Sequence, residues 1–315
     1  MFMPDTDSQA PPVHLIARPT TLIECPRLSK RLGVRITLAS ETFQHTGSFK
    51  FRAGYNLALG VPHRKLITAS SGNFGQALAR ACSLLGKHCW VVMPANSAQV
   101  KVDAVREFGG VVDLVDVKVK SRSQRVQELA AEHPDAYVAS AFDDPLVIEG
   151  NASLGSELAR LGTRYDCILA PVGGGGLSSG IIRGLRAHGN ATPVIGAEPL
   201  LANDAVRSLR AGHIVANESE PQTIADGART LSIGRHNWEI LQHGIEDILE
   251  VPEECIKEAV RLLFSLANLK AEPTGALPIG ALLAAGQRFA GRQVLCVISG
   301  GNVDPAVYTS ILAGN

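Results

Sequence analysis

Three short segments, far apart in the chain, carry residue types suited to one chemistry: Thr46-Gly47-Ser48-Phe49-Lys50, Ser70-Ser71-Gly72-Asn73-Phe74-Gly75 and Pro171-Val172-Gly173-Gly174-Gly175-Gly176-Leu177. Lys50 follows an aromatic residue, Phe49, inside a turn-to-helix transition made of Thr46, Gly47 and Ser48. An amine partly withdrawn from water there loses proton affinity and becomes nucleophilic toward a carbonyl. Ser70, Ser71, Gly72 and Asn73 close a candidate strand and lead into a helix, so their N–H groups and the Asn73 amide can hold a carboxylate or phenolate oxygen. Gly173 to Gly176 follow another candidate strand and precede a helix near Leu177. Without side chains, such a run can wrap an anion at the positive end of the helix. Singly, each segment has a plainer explanation: a solvated lysine, a helix cap, a structural turn. As a set they point to a phosphate-bearing aldehyde cofactor beside a reactive lysine.

Two further segments extend the set. Ser299-Gly300-Gly301-Asn302 ends a candidate strand, and the Ser299 hydroxyl can bond a heteroaromatic nitrogen without forcing it to stay protonated as a carboxylate would. Glu198 and Asp204, with turn carbonyls between them, can furnish oxygens to Mg²⁺ or Ca²⁺, although two solvated acids fit the same spacing. A dinucleotide cofactor competes for the glycine run and loses. In GxGxxG the third glycine position falls on Ser178 counted from Gly173 and on Ser179 counted from Gly174, and no GxxxxGK[ST] loop exists.

Positioning such segments requires strands that end in loops at one edge of a sheet. Short β-branched runs alternate with helical patterns along the chain, which predicts an α/β fold with largely parallel sheets covered by helices. The expected strands are Val34 to Ala39, Leu66 to Ala69, His88 to Met93, Val111 to Val115, Asp166 to Ala170, Pro193 to Ala197 and Gln293 to Ile298. The expected helices are Gly75 to Leu85, Ser97 to Phe108, Ser123 to Glu132, Leu146 to Leu161, Leu177 to His188, Pro252 to Asn268 and Pro305 to Leu312. Pro273 to Gly286 is apolar but interrupted by two prolines, and reads as a buried helix entered through a turn. The residues ahead of Val13 read as a loose polar arm.

The 315 residues suffice for a substantial core with a cleft. Thirty Lys+Arg balance thirty Asp+Glu, so no electrostatic footprint for nucleic acid or an anionic membrane is expected; a small polar metabolite fits better. Six cysteines form no CxxC pair and sit mostly in apolar segments, which predicts buried thiols. No basic leader or long apolar span is apparent, and a cytoplasmic location is the expectation.

At these residues the chain resembles the fold-type II pyridoxal-phosphate enzymes (tryptophan synthase β-like), in the serine/threonine dehydratase and serine racemase branch. The matching segments also include Ala197-Glu198-Pro199, Thr223-Ile224-Ala225-Asp226-Gly227, Glu272-Pro273-Thr274-Gly275 and Ser299-Gly300-Gly301-Asn302-Val303-Asp304. The resemblance implies two open, twisted, mostly parallel sheets flanked by helices. It also implies a discontinuous large cofactor-binding domain (1–49 and 145–315) with a small inserted α/β domain (50–144), and a homodimer. Lys50 would hold pyridoxal 5'-phosphate as an imine, Phe49 would pack on its ring, and Asn73 would donate to its phenolic oxygen. Gly173, Gly174, Gly175, Gly176 and Leu177 would bind the phosphate, and Ser299 would sit beside the ring nitrogen. Ser70, Ser71, Gly72 and Asn73 would receive the substrate carboxylate, Asp226 and Gly227 would line the side-chain pocket, and Ser71 would be the opposite-face acid/base of the racemase pattern. Glu198, Ala202 (by its carbonyl) and Asp204 would hold Mg²⁺ or Ca²⁺. Three departures stand out: Phe74 replaces a common histidine, Ala39-Ser40-Glu41 replaces a lysine-containing entry to the Lys50 segment, and a Thr-Pro near the start appears as Pro19-Thr20-Thr21.

The activity this implies is an ammonia-lyase (dehydratase) that converts L-threonine, L-serine or a related 3-hydroxy amino acid to a 2-oxo acid and ammonia. Racemization of serine or a related amino acid, β-replacement with an external nucleophile, and a non-catalytic ligand-binding module are the alternatives.

Overall fold

The computed structural model describes residues 10–70, 72–97 and 99–314; Ser71, Ala98 and most of the arm expected ahead of Val13 fall outside them. Ten strands form among the described residues: β1 (Thr21–Glu24), β2 (Arg35–Ser40), β3 (Lys65–Ala69), β4 (His88–Pro94), β5 (Val111–Val115), β6 (Ala136–Ala139), β7 (Cys167–Pro171), β8 (Val194–Pro199), β9 (Asp247–Val251) and β10 (Gln293–Ile298). They build two sheets, with orders β1-β2-β10-β7-β8-β9 and β5-β4-β3-β6. Every pairing is parallel except β1 with β2. This is the α/β architecture of two mostly parallel sheets that the sequence predicts.

The seven expected strands all form, with ends shifted by a residue or two. The central strands β7 and β8 are buried along their whole length, as expected of near-continuous apolar runs covered on both faces. The three strands that were not expected, β1, β6 and β9, all lie at sheet edges. Their partly exposed residues break the apolar run that marks a covered strand. Pro273–Ala284 is a buried helix with Pro273 in its first turn and Pro278 inside it. All six cysteines are free thiols, and all but Cys255 are buried.

Both strand orders contain a reversal. In the smaller sheet the chain runs β3, β4, β5 in one direction and then places β6 on the other side of β3. In the larger sheet it runs β7, β8, β9 and then places β10 on the other side of β7. Loops leaving the carboxyl ends of such neighbouring strands diverge and open a crevice. Ser70 and Ser140 follow β3 and β6, and Gly173 and Ser299 follow β7 and β10, so all four loops lie at switch points. The segments singled out by their chemistry therefore sit where this topology makes room for a ligand.

The helix Lys50–Gly60 packs on the helices Asn73–Leu84 and Pro145–Ala159. Phe51, Leu57 and Ala58 enter the core over the smaller sheet. Arg52 is fully buried on the same helix. Its Nε donates to Glu41 Oε2 at 2.8 Å and its Nη2 to Glu41 Oε1 at 3.0 Å, while Nη1 donates to Glu157 Oε1 at 2.7 Å and Ser153 Oγ at 3.1 Å. Thr20 Oγ1 donates to Glu41 Oε1 at 2.8 Å. Two of the departures from the family pattern, at Glu41 and Thr20, thus belong to one buried network that anchors the Lys50 helix. Replacing Arg52 strands Glu41, which is 1% exposed, as an uncompensated buried charge. Arg52→Met is expected to lower stability in urea unfolding by about 3–5 kcal/mol, with part of the loss recovered when Glu41→Gln is added; an unchanged urea midpoint would contradict this role.

Candidate active site

The turn that delivers Lys50 is strained and tied down from a distant part of the chain. Thr46 has φ 63°, in the left-handed region that a β-branched residue rarely occupies. Asn302 Nδ2 donates to the Thr46 carbonyl at 2.7 Å. Phe49 N–H donates to the Ser299 carbonyl and Gly301 N–H to the Gly47 carbonyl, both at 3.0 Å, and Ser48 bridges to Gly300. The loop after β10 therefore pairs, backbone to backbone, with the segment that enters the Lys50 helix.

Lys50 Nζ donates to the Ala141 carbonyl at 2.7 Å and stands 5.1 Å from the Phe49 ring centre and 5.6 Å from that of Phe74. Burial pushes its pKa down to about 8, against the opposing pull of the Glu272 carboxylate. Phe74, in place of a common histidine, is 2% exposed and packs into the core over the smaller sheet while its ring also faces the amine. Phe74 thus packs in that core and lines the cleft as well.

Asn73 begins the helix Asn73–Leu84 and is oriented from both ends of its amide. Asn302 Nδ2 donates to Asn73 Oδ1 and Asn73 Nδ2 donates to Glu272 Oε1, each at 2.8 Å. Glu272 is 3% exposed. Its carboxyl is pushed well above the usual carboxylate range by burial and then by the Asp226 charge, with the Asn73 hydrogen bond, Lys101 and Lys50 acting the other way.

The glycine run forms a cradle at the start of the helix Gly176–Ala187. Gly175 has φ 93°, and a Cβ on Gly174 would lie 2.2 Å from the Phe142 ring. The loop carbonyls are turned outward. Gly174 O accepts from Asn237 Nδ2 at 2.9 Å and from Gly234 N–H at 3.0 Å, while Gly176 O accepts from Asn151 Nδ2 at 3.0 Å. Among the described residues, the N–H groups of Gly173, Gly174 and Gly175 meet no backbone carbonyl. These donors, at the positive end of a helix and unobstructed by side chains, fit a phosphate. Leu177 lies in the first turn of that helix and lines the cleft.

Lys50, Phe49, Ser70, Gly72, Asn73, the glycine run, Asp226, Gly227 and Ser299 all line one cleft of about 980 Å³. Ser71 lies outside the described residues. Ser70 Oγ accepts from Gly72 N–H at 3.3 Å and Gly75 N–H at 3.0 Å, so this side chain braces the loop. Lys101 Nζ donates to Asp226 Oδ2 at 2.5 Å, and Gly227 N–H donates to Thr274 Oγ1 at 3.0 Å. Ser299 is 1% exposed at the end of β10. A ring ligand with a phosphate and a carbonyl fits this arrangement, with its phosphate at the glycine cradle and Lys50 and Asn73 within the same cleft.

Glu198, Ala202 and Asp204 form a second buried cluster. Glu198 accepts from the N–H groups of Ala205 and Val206 at 2.9 Å each. Asp204 Oδ2 is buried without a hydrogen-bond partner. Burial raises the Asp204 pKa to about 6, and burial followed by the Asp204 charge drives Glu198 well up. Among the described residues no group of three His, Cys, Asp or Glu side chains is arranged around a metal, so the Ala202 carbonyl would have to complete the set.

Sequence reasoning assigned no role to several residues that shape the cleft. Glu272 and Asn302 stood inside quoted motifs, and a lone acid between Ala271 and Pro273 was the available signal for the first. Lys101, Phe142 and Asn237 carry no local signature; only the tertiary structure brings them to the loops.

A family model described as pyridoxal-phosphate dependent enzyme matches residues 13–300. The L-threo-3-hydroxyaspartate ammonia-lyase of a Pseudomonas sp is 34% identical over 302 residues, 95% of this chain and 94% of that protein. Serine racemase of Schizosaccharomyces pombe is 31% identical over 98% of this chain and 96% of that protein. The crystal structure of a threonine deaminase from T.th. superposes with a TM-score of 0.88 at 40% identity, over 93% of this chain and 96% of that one. With the cradle, the half-buried amine and the two switch points in place, the chain belongs to the fold-type II pyridoxal-phosphate-dependent enzymes.

Proposed function

We propose that the chain is a pyridoxal-phosphate-dependent ammonia-lyase that converts a 3-hydroxy amino acid to a 2-oxo acid and ammonia. The observation that carries this reading is the amine of Lys50, held between Phe49 and Phe74 in the same cleft as a glycine cradle with open N–H groups. In this assignment Gly173 to Gly176 and Leu177 would hold the phosphate, Asn73 would donate to the ring oxygen, Phe49 would pack on the ring and Ser299 would lie at the ring nitrogen. When bound, pyridoxal phosphate supplies an aldehyde for the amine and an electron-withdrawing ring that acidifies the substrate α-carbon.

Lys50 then serves as the base. Its low proton affinity leaves a substantial fraction neutral near pH 7–8, so it can take the α-proton at Nζ. The turn after β3 receives the α-carboxylate through backbone N–H groups, and Ser70 keeps that turn in shape. Loss of the α-proton and the β-hydroxide, followed by addition of water and release of ammonia, balances as amino acid to 2-oxo acid plus ammonia. Ser299 carries a hydroxyl and not a carboxylate, so it would not hold the ring nitrogen in its protonated form, a setting suited to elimination of a β-hydroxyl. Relatives named L-threo-3-hydroxyaspartate ammonia-lyase, beta-hydroxyaspartate dehydratase and L-threonine ammonia-lyase support the reaction class. Glu198, Ala202 and Asp204 are assigned to a structural Mg²⁺ or Ca²⁺, because an orphan buried carboxylate oxygen beside a second buried acid calls for a cation.

Three outcomes test this reading. Purified protein loaded with pyridoxal phosphate is expected to release ammonia and a 2-oxo acid from at least one of L-serine, L-threonine, L-threo-3-hydroxyaspartate and L-phenylserine, and Lys50→Ala to lower kcat by at least ~1000-fold. Repeating the assay and a thermal melt with EDTA and then Mg²⁺ is expected to show a higher Tm with the ion, lost in Asp204→Asn. Silence on all four substrates contradicts the lyase assignment.

The third outcome concerns pH. An ordinary lysine has a pKa of about 10.4, whereas burial pushes that of Lys50 down to about 8. Uptake of pyridoxal phosphate by the apo-protein requires the neutral amine, so its rate is expected to rise with pH through a midpoint near that lower value and then level off. Glu272→Gln removes a charge that favours the ammonium and moves the midpoint down. A midpoint near that of a solvated lysine contradicts the dry-amine account.

A further inference from the structure

The cleft holds an arginine that neither the sequence motifs nor the chemistry above employs. Arg229 follows the Asp226-Gly227 turn and lines the same cleft as Lys50 and Asn73. Its Nε donates to the Thr223 carbonyl at 2.7 Å. That bond fixes one edge of a planar guanidinium and leaves the two Nη groups as a fork.

The turn beneath it is rigid. Thr223 Oγ1 donates to Glu253 Oε1 at 2.5 Å, Ile224 N–H donates to Glu253 Oε2 at 2.8 Å, and Gly227 N–H donates to Thr274 Oγ1 at 3.0 Å. Arg229 is therefore presented from a braced backbone, which reduces the ordering cost of a contact made by its fork.

The other cleft cations are already matched. Lys101 pairs with Asp226 at 2.5 Å and Arg122 with Glu220 at 3.4 Å, each across the cleft. Lys50 is committed to the cofactor carbonyl. Among the described residues no carboxylate lies within ion-pair distance, 4.0 Å, of Arg229. Asp226, three residues before it, is neutralised by Lys101 and so does not cancel the positive field of Arg229. A cleft cation with an open fork, next to the turn that lines the side-chain end of the pocket, is complementary to a planar anion on the substrate side chain.

We propose that Arg229 reads the side-chain carboxylate of a dicarboxylic 3-hydroxy amino acid, making it the residue that sets preference for such a substrate over serine and threonine. The inference rests on the ammonia-lyase reading and adds to it the substrate class and the residue that selects it. It places Lys101 in a supporting role, since losing that amine would free the Asp226 charge to repel the same carboxylate.

The test is steady-state kinetics of the holoenzyme and its Arg229→Met and Arg229→Lys variants on L-threo-3-hydroxyaspartate and L-serine. Wild type is expected to favour the dicarboxylate, and Arg229→Met to lower the ratio of the two kcat/KM values about 50-fold, mainly through KM, as loss of a charged hydrogen-bonded pair requires. Arg229→Lys, which keeps the charge without the fork, is expected to recover part of that ratio. A ratio unchanged in Arg229→Met, or equal losses on both substrates, overturns the inference. So does wild-type turnover of serine or threonine with none of hydroxyaspartate, a result that leaves the lyase assignment standing. If wild type turns over nothing, the lyase assignment falls and equilibrium binding decides Arg229 alone. L-Aspartate binding about 10-fold tighter than L-alanine to wild type, with the difference abolished in Arg229→Met, sustains it. Equal binding of the two by wild type overturns it.

Discussion

An amine withdrawn from water cannot keep its ordinary proton affinity, and the surroundings of Lys50 are organised around that constraint. Two rings and one backbone carbonyl are its nearest company. Holding a long, flexible side chain there demands a helix start that cannot drift. The left-handed Thr46 sets the direction of entry, Asn302 and the Ser299–Gly301 backbone hold that turn from above, and the buried Arg52 network grips the helix one half-turn further on. Side chains two apart on a helix point in different directions. Lys50 can thus face the cleft while Arg52 faces Glu41 and Glu157 in the interior.

The same constraint explains how anions are received. A cationic side chain at the phosphate site would add a like charge near the amine, whereas the glycine cradle offers neutral N–H groups aimed by outward-turned carbonyls. Asn151 and Asn237 come from two different helices to hold those carbonyls. Lys101 pairs with Asp226 and Arg122 with Glu220 across the cleft, and the proton affinity of the amine is set by burial and, in the opposite sense, by Glu272. Glu272 in turn links to Asn73, and through Asn73 to Asn302, making one hydrogen-bonded chain from the acid to the strained turn.

What could be read from the sequence follows from how local each demand is. Four glycines after an apolar strand state a backbone requirement within a few residues, and β7 and β10 are covered strands whose continuous apolar runs are plain. Lys50 was legible because Thr46, Gly47, Ser48 and Phe49 surround it at a turn into a helix, although the length of that helix was not; Gly54, Asn56 and Gly60 dilute its pattern. The edge strands β1, β6 and β9 were missed because half-exposed segments do not announce themselves. Phe142, Asn237 and Lys101 were missed for a different reason. Phe142 acts through a contact with Gly174 that no spacing encodes, and Asn237 acts through carbonyls of residues more than sixty positions away in sequence. Nothing local in the sequence says which way Arg52 faces, and its network accounts for the unusual Glu41 and Thr20.

The central claim is covalent: the amine of residue 50 joins the aldehyde of pyridoxal phosphate. Borohydride reduction of the loaded protein, followed by proteolysis and mass mapping, measures this directly. The account requires a reduced pyridoxyl-phosphate adduct on the peptide containing Lys50 and on no other lysine. Reduction that leaves Lys50 unmodified, or places the adduct on another lysine, contradicts it.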